Sequence, residues 1–168
     1  QRSQLQDAML DGHFYFGGRT VAIAAEPDLL CALGHFFSDM GARIGAAVTS
    51  TNSPVLAQLP CAEVRVGDLE DWEQAAAGSD LLVAHSQGRQ AAARLGIPFY
   101  RAGLPMFDRL GVAHKTSIGY RGTRDLIFEV GNVFIENQHE PACPTDASVG
   151  NNGRASCSRA GAAAVPCH

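Results

Sequence analysis

The sequence predicts an α/β domain of three layers, α/β/α, built around a parallel sheet of four to five strands. Two observations carry this prediction. Short apolar runs typical of buried strands alternate with segments of helical periodicity, at a spacing of about 15–25 residues that is typical of βαβ units. An apolar fraction of 46% over 168 residues is sufficient for a globular core. No apolar run approaches the roughly 18 residues of a membrane span, so no membrane partner is expected.

Start and stop signals bound the individual elements. Ser3 with Gln6 three positions on fits a capping box, Pro27 suits a first helical turn, Asp68 is a helix cap and Gly96 is a stop signal. The predicted helices cover 3–16, 27–40, 68–77, 89–95 and 123–136, and the predicted strands cover 20–25, 43–50, 63–67, 80–84 and 97–101. These elements form one domain over residues 1–136.

Right-handed crossovers limit how these strands can be joined. They favour the order 3-2-1-4-5 in a Rossmann-like sheet, with the strand over 63–67 as a weak edge. The order reverses between the first and fourth strands, and open α/β sheets bind ligands at such a switch point. The loops that follow these two strands carry Glu26 and the turn His85-Ser86-Gln87-Gly88. We therefore expect a ligand at these two loops.

Residues 80–111 form the stretch around which the chain is organised. A buried strand, a tight turn, a short helix and a second strand follow one another, and the irregular segment 102–111 then doubles back. Because this segment leaves the same carboxyl edge of the sheet, it is expected to lie close to the turn at 85–88. No catalytic residue is predicted. The candidates for cofactor binding or for an interface are Glu26, His85, Ser86, Gly88, Arg89, Arg101, Asp108 and Arg109.

Charge is distributed unevenly along the chain. Residues 85–124 carry seven cations and one acid, a net charge of +6, whereas the whole chain has a net charge of −4. We therefore predict that residues 101–124 form a functional face that meets either an anionic cofactor precursor or a partner subunit. The alternatives are a solvated arginine-rich surface and a local Asp108–Arg109 ion pair that only fixes the loop. The negative total argues against nucleic-acid binding.

The pentapeptide A-H-S-Q-G at residues 84–88 is the basis of a second hypothesis, a serine hydrolase. It stands between a strand and a helix, as a nucleophile elbow does, with Ser86 as the nucleophile. The acid and the base of a catalytic triad would follow the serine along the chain, with Asp108 or Asp125 as the acid and His114 or His139 as the base. Against this, no further strand and loop remain to carry them, and a tight turn explains the same residues. A nucleotide- or sugar-binding module would rest on the fold alone.

The cysteines and the tail complete the prediction. Five cysteines form no C-x-x-C pair and fit no zinc spacing, so no metal site is predicted. An odd number in an α/β chain without a visible signal sequence indicates a reducing compartment, the cytoplasm. Residues 137–168 contain no Leu, Ile, Phe, Tyr or Trp and are predicted to be disordered. Because residue 1 is Gln, we expect a fragment or a processed chain.

Four segments carry a family resemblance: LQDAMLDGHFYFGGRTVAIAAEPDLL, HSQGRQ, IPFYRAGLPMFDRLG and GYRGTRDL. In this order they resemble the C-terminal domain of the nitrogenase component 1 family. The first is similar to that family's helix, strand and GDPD-type turn, and the second to its NSxGK/R turn, with His85 in place of Asn. The third resembles its PxxRxGFPIFDR segment and the fourth its GYxG motif. The resemblance covers residues 4–136.

Within this family, the sequence is most similar to the subunits that serve in biosynthesis of the iron-molybdenum cofactor, with catalytic β chains as the alternative. The resemblance implies a scaffold without independent activity, paired with a NifE-like subunit in a heterotetramer and in transient contact with cofactor-donor and nitrogenase proteins. It implies that this chain alone binds no cofactor, whereas the full complex holds an iron–sulfur cluster and an iron-molybdenum cofactor precursor. The family's cluster-ligating cysteines lie in an N-terminal half that is absent here, and neither Cys31 nor Cys61 matches a ligand motif.

Overall fold

The structure, a computed structural model, describes residues 1–137 of the chain. The helices are α1 (Arg2–Phe16), α2 (Pro27–Asp39), α3 (Leu69–Ala75), α4 (Arg89–Leu95) and α5 (Gly119–Glu136), and the strands are β1 (Thr20–Ala24), β2 (Arg43–Thr49), β3 (Arg65–Val66), β4 (Leu81–Ala84) and β5 (Phe99–Arg101). Within this range, no helix is both long and apolar enough to cross a membrane. Apart from residue 137, the tail that we predict to be disordered lies outside the described residues.

The five strands form one sheet in the order β3-β2-β1-β4-β5. Every pair of neighbours is parallel, which confirms the predicted topology. β3 consists of two residues and pairs with β2 through Val48 to Arg65 and Thr49 to Val66, so it is the short edge strand that we expected. The switch point lies between β1 and β4. The loops after these strands therefore leave the sheet at the same edge.

Both faces of the sheet are covered, and the strands are therefore apolar along most of their length. Val21, Ile23, Leu81 and Val83 belong to a core that includes residues of α1, α2 and α5. The alternate strand residues are mostly alanines and form a second core with α3 and α4. The fully buried Trp72 of α3 occupies this second core. The two cores give the predicted three layers.

Aromatic rings join α1 to α5. The Phe16 ring lies edge-on to Phe134, with centroids 5.4 Å apart, and edge-on to Phe36 at 5.9 Å. The two helices approach closely because Gly12 has no side chain: a Cβ there would lie 2.5 Å from Cγ2 of Ile127. This contact holds the last helix of the domain against the first.

The inward face of α1 differs from the one that helical spacing predicts. Leu5, Ala8, Met9 and Tyr15 recur at near-helical spacing in the sequence. Ala8 is buried and Leu5 is partly buried, but Met9 and Tyr15 are exposed. The buried residues of this helix are Ala8, Gly12 and Phe16. The predicted capping box at Ser3 is wrong, because the N-cap is Gln1, two residues earlier, and no side chain caps the helix. The fit between Gly12 and α5, which local spacing does not encode, selects the observed face.

A complete capping box begins α3. Asp68 Oδ1 accepts hydrogen bonds from the backbone N–H groups of Glu70 at 2.8 Å and Asp71 at 3.0 Å, and Asp71 Oδ2 accepts one from the Asp68 N–H at 3.2 Å. Asp68→Ala is expected to lower the free energy of unfolding by about 1 kcal/mol, because two N–H groups lose their acceptor. Urea denaturation measures the loss, with Glu70→Gln as the control. Equal midpoints for Asp68→Ala and the parent would contradict this account of the cap.

Candidate functional site

A cleft of about 340 Å³ lies at the switch point. Its walls come from the carboxyl ends of β1 and β2, the start of α3, the turn after β4 and residues 102–104 of the loop after β5. Glu26 and His85, both candidates from the sequence, line it. Parallel strands bring their carboxyl ends to one edge, so the position of the cleft follows from the strand order.

The polar edge of the cleft contains residues that the sequence prediction missed. Ser50, at the end of β2, donates a hydrogen bond from its hydroxyl to Glu26 Oε1 at 3.1 Å. Thr49 and Asp68 also line the cleft. The predicted strand order could have indicated Thr49 and Ser50, because β2 neighbours β1 and the carboxyl ends of parallel strands lie at the same edge of the sheet. None of these side chains is cationic, so the cleft itself is not the cationic face expected from the charge count.

Beside the cleft, Ser86 joins the turn after β4 to the loop after β5. Its backbone N–H donates to the carbonyl of Pro105 at 3.2 Å. Its hydroxyl donates to Asp108 Oδ1, while the N–H of Phe107 donates to the same hydroxyl oxygen at 3.1 Å. Ser86 is only 2% exposed. We call Ser86, Arg101, Phe107 and Asp108 the Ser86–Asp108 network.

Arg101 completes this network. Its Nε and Nη2 both lie 2.8 Å from Asp108 Oδ2, and its guanidinium stacks over the Phe99 ring at 5.1 Å. The hydrogen bond from Arg101, followed by that from Ser86, lowers the pKa of Asp108 to about 2. The sequence allowed an Asp108–Arg109 ion pair as one alternative. An ion pair does fix the loop, but Asp108 pairs with Arg101 and not with Arg109. Arg101 stands at the end of β5, and its guanidinium reaches the Asp108 carboxylate in the loop that follows.

The depressed pKa of Asp108 has a consequence for acid stability. The unfolded carboxyl has an ordinary pKa near 4, so on acidification the unfolded state takes up the proton first and stability falls. The stabilisation by ionised Asp108 is expected to be complete above about pH 4 and to be lost as the pH falls towards about 2. Asp108→Asn should therefore be less stable than the parent at pH 6, and the difference should shrink below pH 4.

Thermal unfolding of the parent and Asp108→Asn between about pH 3 and pH 6 measures this difference. Asp39→Asn is the matched control, because Asp39 is exposed and its side chain makes no hydrogen bond or ion pair within the described part of the chain. A parent–variant difference in melting temperature that stays constant through the acid range would contradict the assignment.

The geometry around Ser86 does not fit a serine nucleophile. A nucleophile needs an accessible oxygen with an imidazole beside it to take the proton. Ser86 is buried, and its proton is directed at Asp108. Within residues 1–137 no histidine is hydrogen-bonded to it, and His85 Nδ1 instead faces the N–H of Gln87 at 3.4 Å. The proposed His139 lies outside the described residues. The strand–turn–helix context is therefore explained by a tight turn.

Most cations of the 85–124 segment are already paired with carboxylates. Ion pairs join Arg94 to Glu73, Arg101 to Asp108, Lys115 to Glu129 and Arg124 to Asp125. Arg89 reaches Asp108 only at 3.9 Å and is exposed. Arg109 and Arg121 form no ion pair among residues 1–137. The segment 85–124 therefore presents much less unpaired positive charge than its net charge of +6 indicates. Near the Ser86–Asp108 network, the exposed cations are Arg89 and Arg109, which we call the positive face.

Gly88 has a packing role. A Cβ at this position would lie 2.7 Å from Cβ of Ala84, 3.2 Å from the Trp72 ring and 3.3 Å from the Phe99 ring. The turn therefore comes close to the sheet only because residue 88 has no side chain. The eight candidates thus separate into two cleft residues, three members of the Ser86–Asp108 network, two exposed arginines and one packing glycine.

Comparison with known proteins identifies the family. A family model described as nitrogenase component 1 type oxidoreductase matches residues 1–135. The chain belongs to the nitrogenase component 1 family. A chain of the solved structure titled "Nitrogenase Cp1 at pH 6.5" has the same fold, with a TM-score of 0.75 and 31% identity over 89% of this chain and 36% of that one. The α/β fold predicted from the sequence is thus the fold of this family.

Two relatives in the nitrogenase component 1 family show how much of a longer protein is represented. A protein of Mesorhizobium japonicum is 60% identical over 141 residues, and one of Nostoc is 54% identical over 136 residues. Both bear the name nitrogenase iron-molybdenum cofactor biosynthesis protein NifN. The matches cover 83% and 81% of this chain but 31% of each relative. The chain therefore spans about a third of the length of these family members.

Proposed function

We propose that this chain is part of a scaffold on which the iron-molybdenum cofactor of nitrogenase is assembled, in support of nitrogen fixation. The observation that carries the proposal is the 60% identity to a protein named for that biosynthesis, over 83% of this chain. The family model, which matches residues 1–135, spans the cleft and the Ser86–Asp108 network. As part of this scaffold, the domain supplies a wall of an assembly site and has no independent enzymatic activity.

The cleft suits contact with a cargo better than ligation of its iron. Its lining contains the carboxylate of Glu26, the imidazole of His85 and the hydroxyl of Ser50, but no cysteine. Thiolates are the usual ligands of iron–sulfur clusters. Cys31 is buried beside Val55, and Cys61 is not in the lining. We therefore assign these cleft residues to enclosing and orienting a cofactor precursor, and the iron–sulfur cluster to the rest of the full complex.

The proposed partners follow from the same role. The chain pairs with a NifE-like subunit in a heterotetramer, in the cytoplasm, and meets cofactor-donor and nitrogenase proteins transiently. The exposed Arg89 and Arg109, and the neighbouring loop, are the surface offered to these partners or to the anionic precursor. The free thiols of Cys31 and Cys61 are compatible with a reducing compartment.

A catalytic nitrogenase β-chain role is the second candidate, because the chain of "Nitrogenase Cp1 at pH 6.5" shares the fold at 31% identity. One genetic test separates the two. The full-length gene is introduced into a diazotroph that lacks its NifN gene, and in parallel into one that lacks its catalytic β chain. Restored cofactor maturation in the first strain alone supports the scaffold, whereas restoration in the second alone would replace it with the catalytic role.

The positive face is tested separately from the fold. Arg89→Gln and Arg109→Gln, introduced together in the full-length chain, are expected to reduce cofactor maturation while leaving the melting temperature within about 1 °C of the parent, since exposed cations contribute little to stability. Arg65→Gln on the edge strand is the control. Arg101 is left unchanged because its loss would disturb the Ser86–Asp108 network. Normal maturation in the double variant would remove these arginines from the site.

A further inference from the structure

The loop after β5 exposes an unusual amount of apolar surface. Leu104 is 77% exposed, Phe107 is 66% exposed and Leu110 is fully exposed. All three belong to the segment 102–111, which we call the apolar loop. Large apolar side chains that remain in water offer area for burial against another molecule. A single exposed leucine needs no explanation, but three large apolar side chains exposed in one short loop do.

This exposure does not result from a loosely held loop. In its middle, the Ser86–Asp108 network fixes the backbone at Phe107 and the side chain of Asp108. Beyond it, Lys115 contacts Glu129 of α5 and donates to the Tyr100 hydroxyl at 3.1 Å. The loop is therefore held on both sides of its exposed residues. A preformed loop loses little conformational entropy when it binds, which favours affinity.

The charge on the loop indicates the chemistry of its partner. Asp108 is the only acid between residues 102 and 121, and it is neutralised by Arg101. Arg109 stands exposed between Phe107 and Leu110 without an ion pair among the described residues. Aromatic and arginine side chains without neighbouring carboxylates are typical of binding hot spots in protein interfaces. Positive charge at such a surface favours a negative one opposite it.

We propose that the apolar loop docks into the partner subunit of the scaffold, against an apolar hollow of that protein edged by carboxylates. The inference rests on the proposed function, which supplies the partner. A small anion would use Arg109 but would leave Phe107 and Leu110 in water. A protein surface buries the apolar side chains and neutralises the arginine together. Phe107 and Leu110 fill the hollow, and Arg109 pairs with a carboxylate at its edge.

The test uses the full-length chain and the co-expressed NifE-like subunit as the probe. Phe107→Ser with Leu110→Ser is expected to weaken their association at least about tenfold, as loss of interface hot spots does. Arg109→Glu should weaken it as well. Raising the salt concentration should weaken binding of the parent more than binding of Arg109→Gln, because the screened charge pair is absent from the variant. Leu10→Ser on α1 and Val66→Ser on β3, at sites 70% and 56% exposed, are the matched controls.

The measurements are the dissociation constant of the subunit pair and the melting temperature of each isolated variant. Weaker association with an unchanged melting temperature supports the docking surface. Parent-like association overturns it. A lower melting temperature of the isolated full-length chain, with association intact, also overturns it, because another part of the same polypeptide then covers the loop. If the parent pair associates but supports no maturation, the scaffold function fails while the docking surface stands.

Discussion

Phe134→Ala is expected to lower the free energy of unfolding by about 3–5 kcal/mol. Phe134 is buried, and its ring meets the Phe16 ring edge-on at a centroid distance of 5.4 Å. The guanidinium of Arg19 lies over the same ring at 5.5 Å. Truncation removes these contacts and leaves a cavity between α1 and α5. Neither helix can close it easily, because each is also packed on the sheet.

The matched control for this truncation is Phe128→Ala on the same helix, where the ring is 47% exposed. Because water already reaches much of that ring, its loss should cost under about 1 kcal/mol. Urea denaturation of the two variants, followed by circular dichroism, gives both free energies. Similar midpoints for Phe134→Ala and Phe128→Ala would show that α5 is not held to the core as described.

Gly88→Ala is expected to destabilise the domain by about 1–3 kcal/mol, although alanine normally favours helical backbone. The added methyl group would lie 2.7 Å from Cβ of Ala84 on β4, which cannot move without distorting the central sheet. The rings of Trp72 and Phe99 block the other directions at 3.2 Å and 3.3 Å. The turn must then lift, and Ser86 within it would shift relative to Asp108.

Gly131→Ala is the matched control for this substitution. The nearest atom to a Cβ at Gly131 is Cε2 of Phe16 at 4.0 Å, so the methyl group fits. In the interior of α5, alanine is favoured over glycine by about 1 kcal/mol, and this variant should be as stable as the parent or more so. Calorimetry of both variants tests the difference. Equal effects at the two positions would contradict the close packing at Gly88.

The strand order could be predicted from the sequence because it follows from the pattern of apolar runs and from a general rule for crossover connections. Fully apolar runs mark strands covered on both faces, and right-handed crossovers leave few ways to join them. Glu26 and His85 were found at the cleft for the same reason, since strand order alone puts both at one edge. These predictions use rules that hold for any parallel α/β sheet.

The details that could not be predicted depend on contacts between side chains of different elements. Spacing within α1 allows more than one inward face, and only the approach of Ile127 to Gly12 decides between them. Likewise, the sequence places Arg109 beside Asp108, yet Arg101 from the end of β5 makes the ion pair. Counting charges overestimated the positive face, because partners such as Glu73 and Glu129 come from outside the counted segment.

The loop after β5 has two sides with different neighbours. Residues 102–104 form a wall of the switch-point cleft, and a few positions later Phe107 and Leu110 face solvent. The hydrogen bonds of Ser86 join the loop between these two parts to the turn that carries His85. The residues that present the exposed side chains are therefore hydrogen-bonded to the turn that borders the cleft. A protein bound to Phe107 and Leu110 and a molecule held in the cleft would therefore both contact the same ten-residue loop, 102–111.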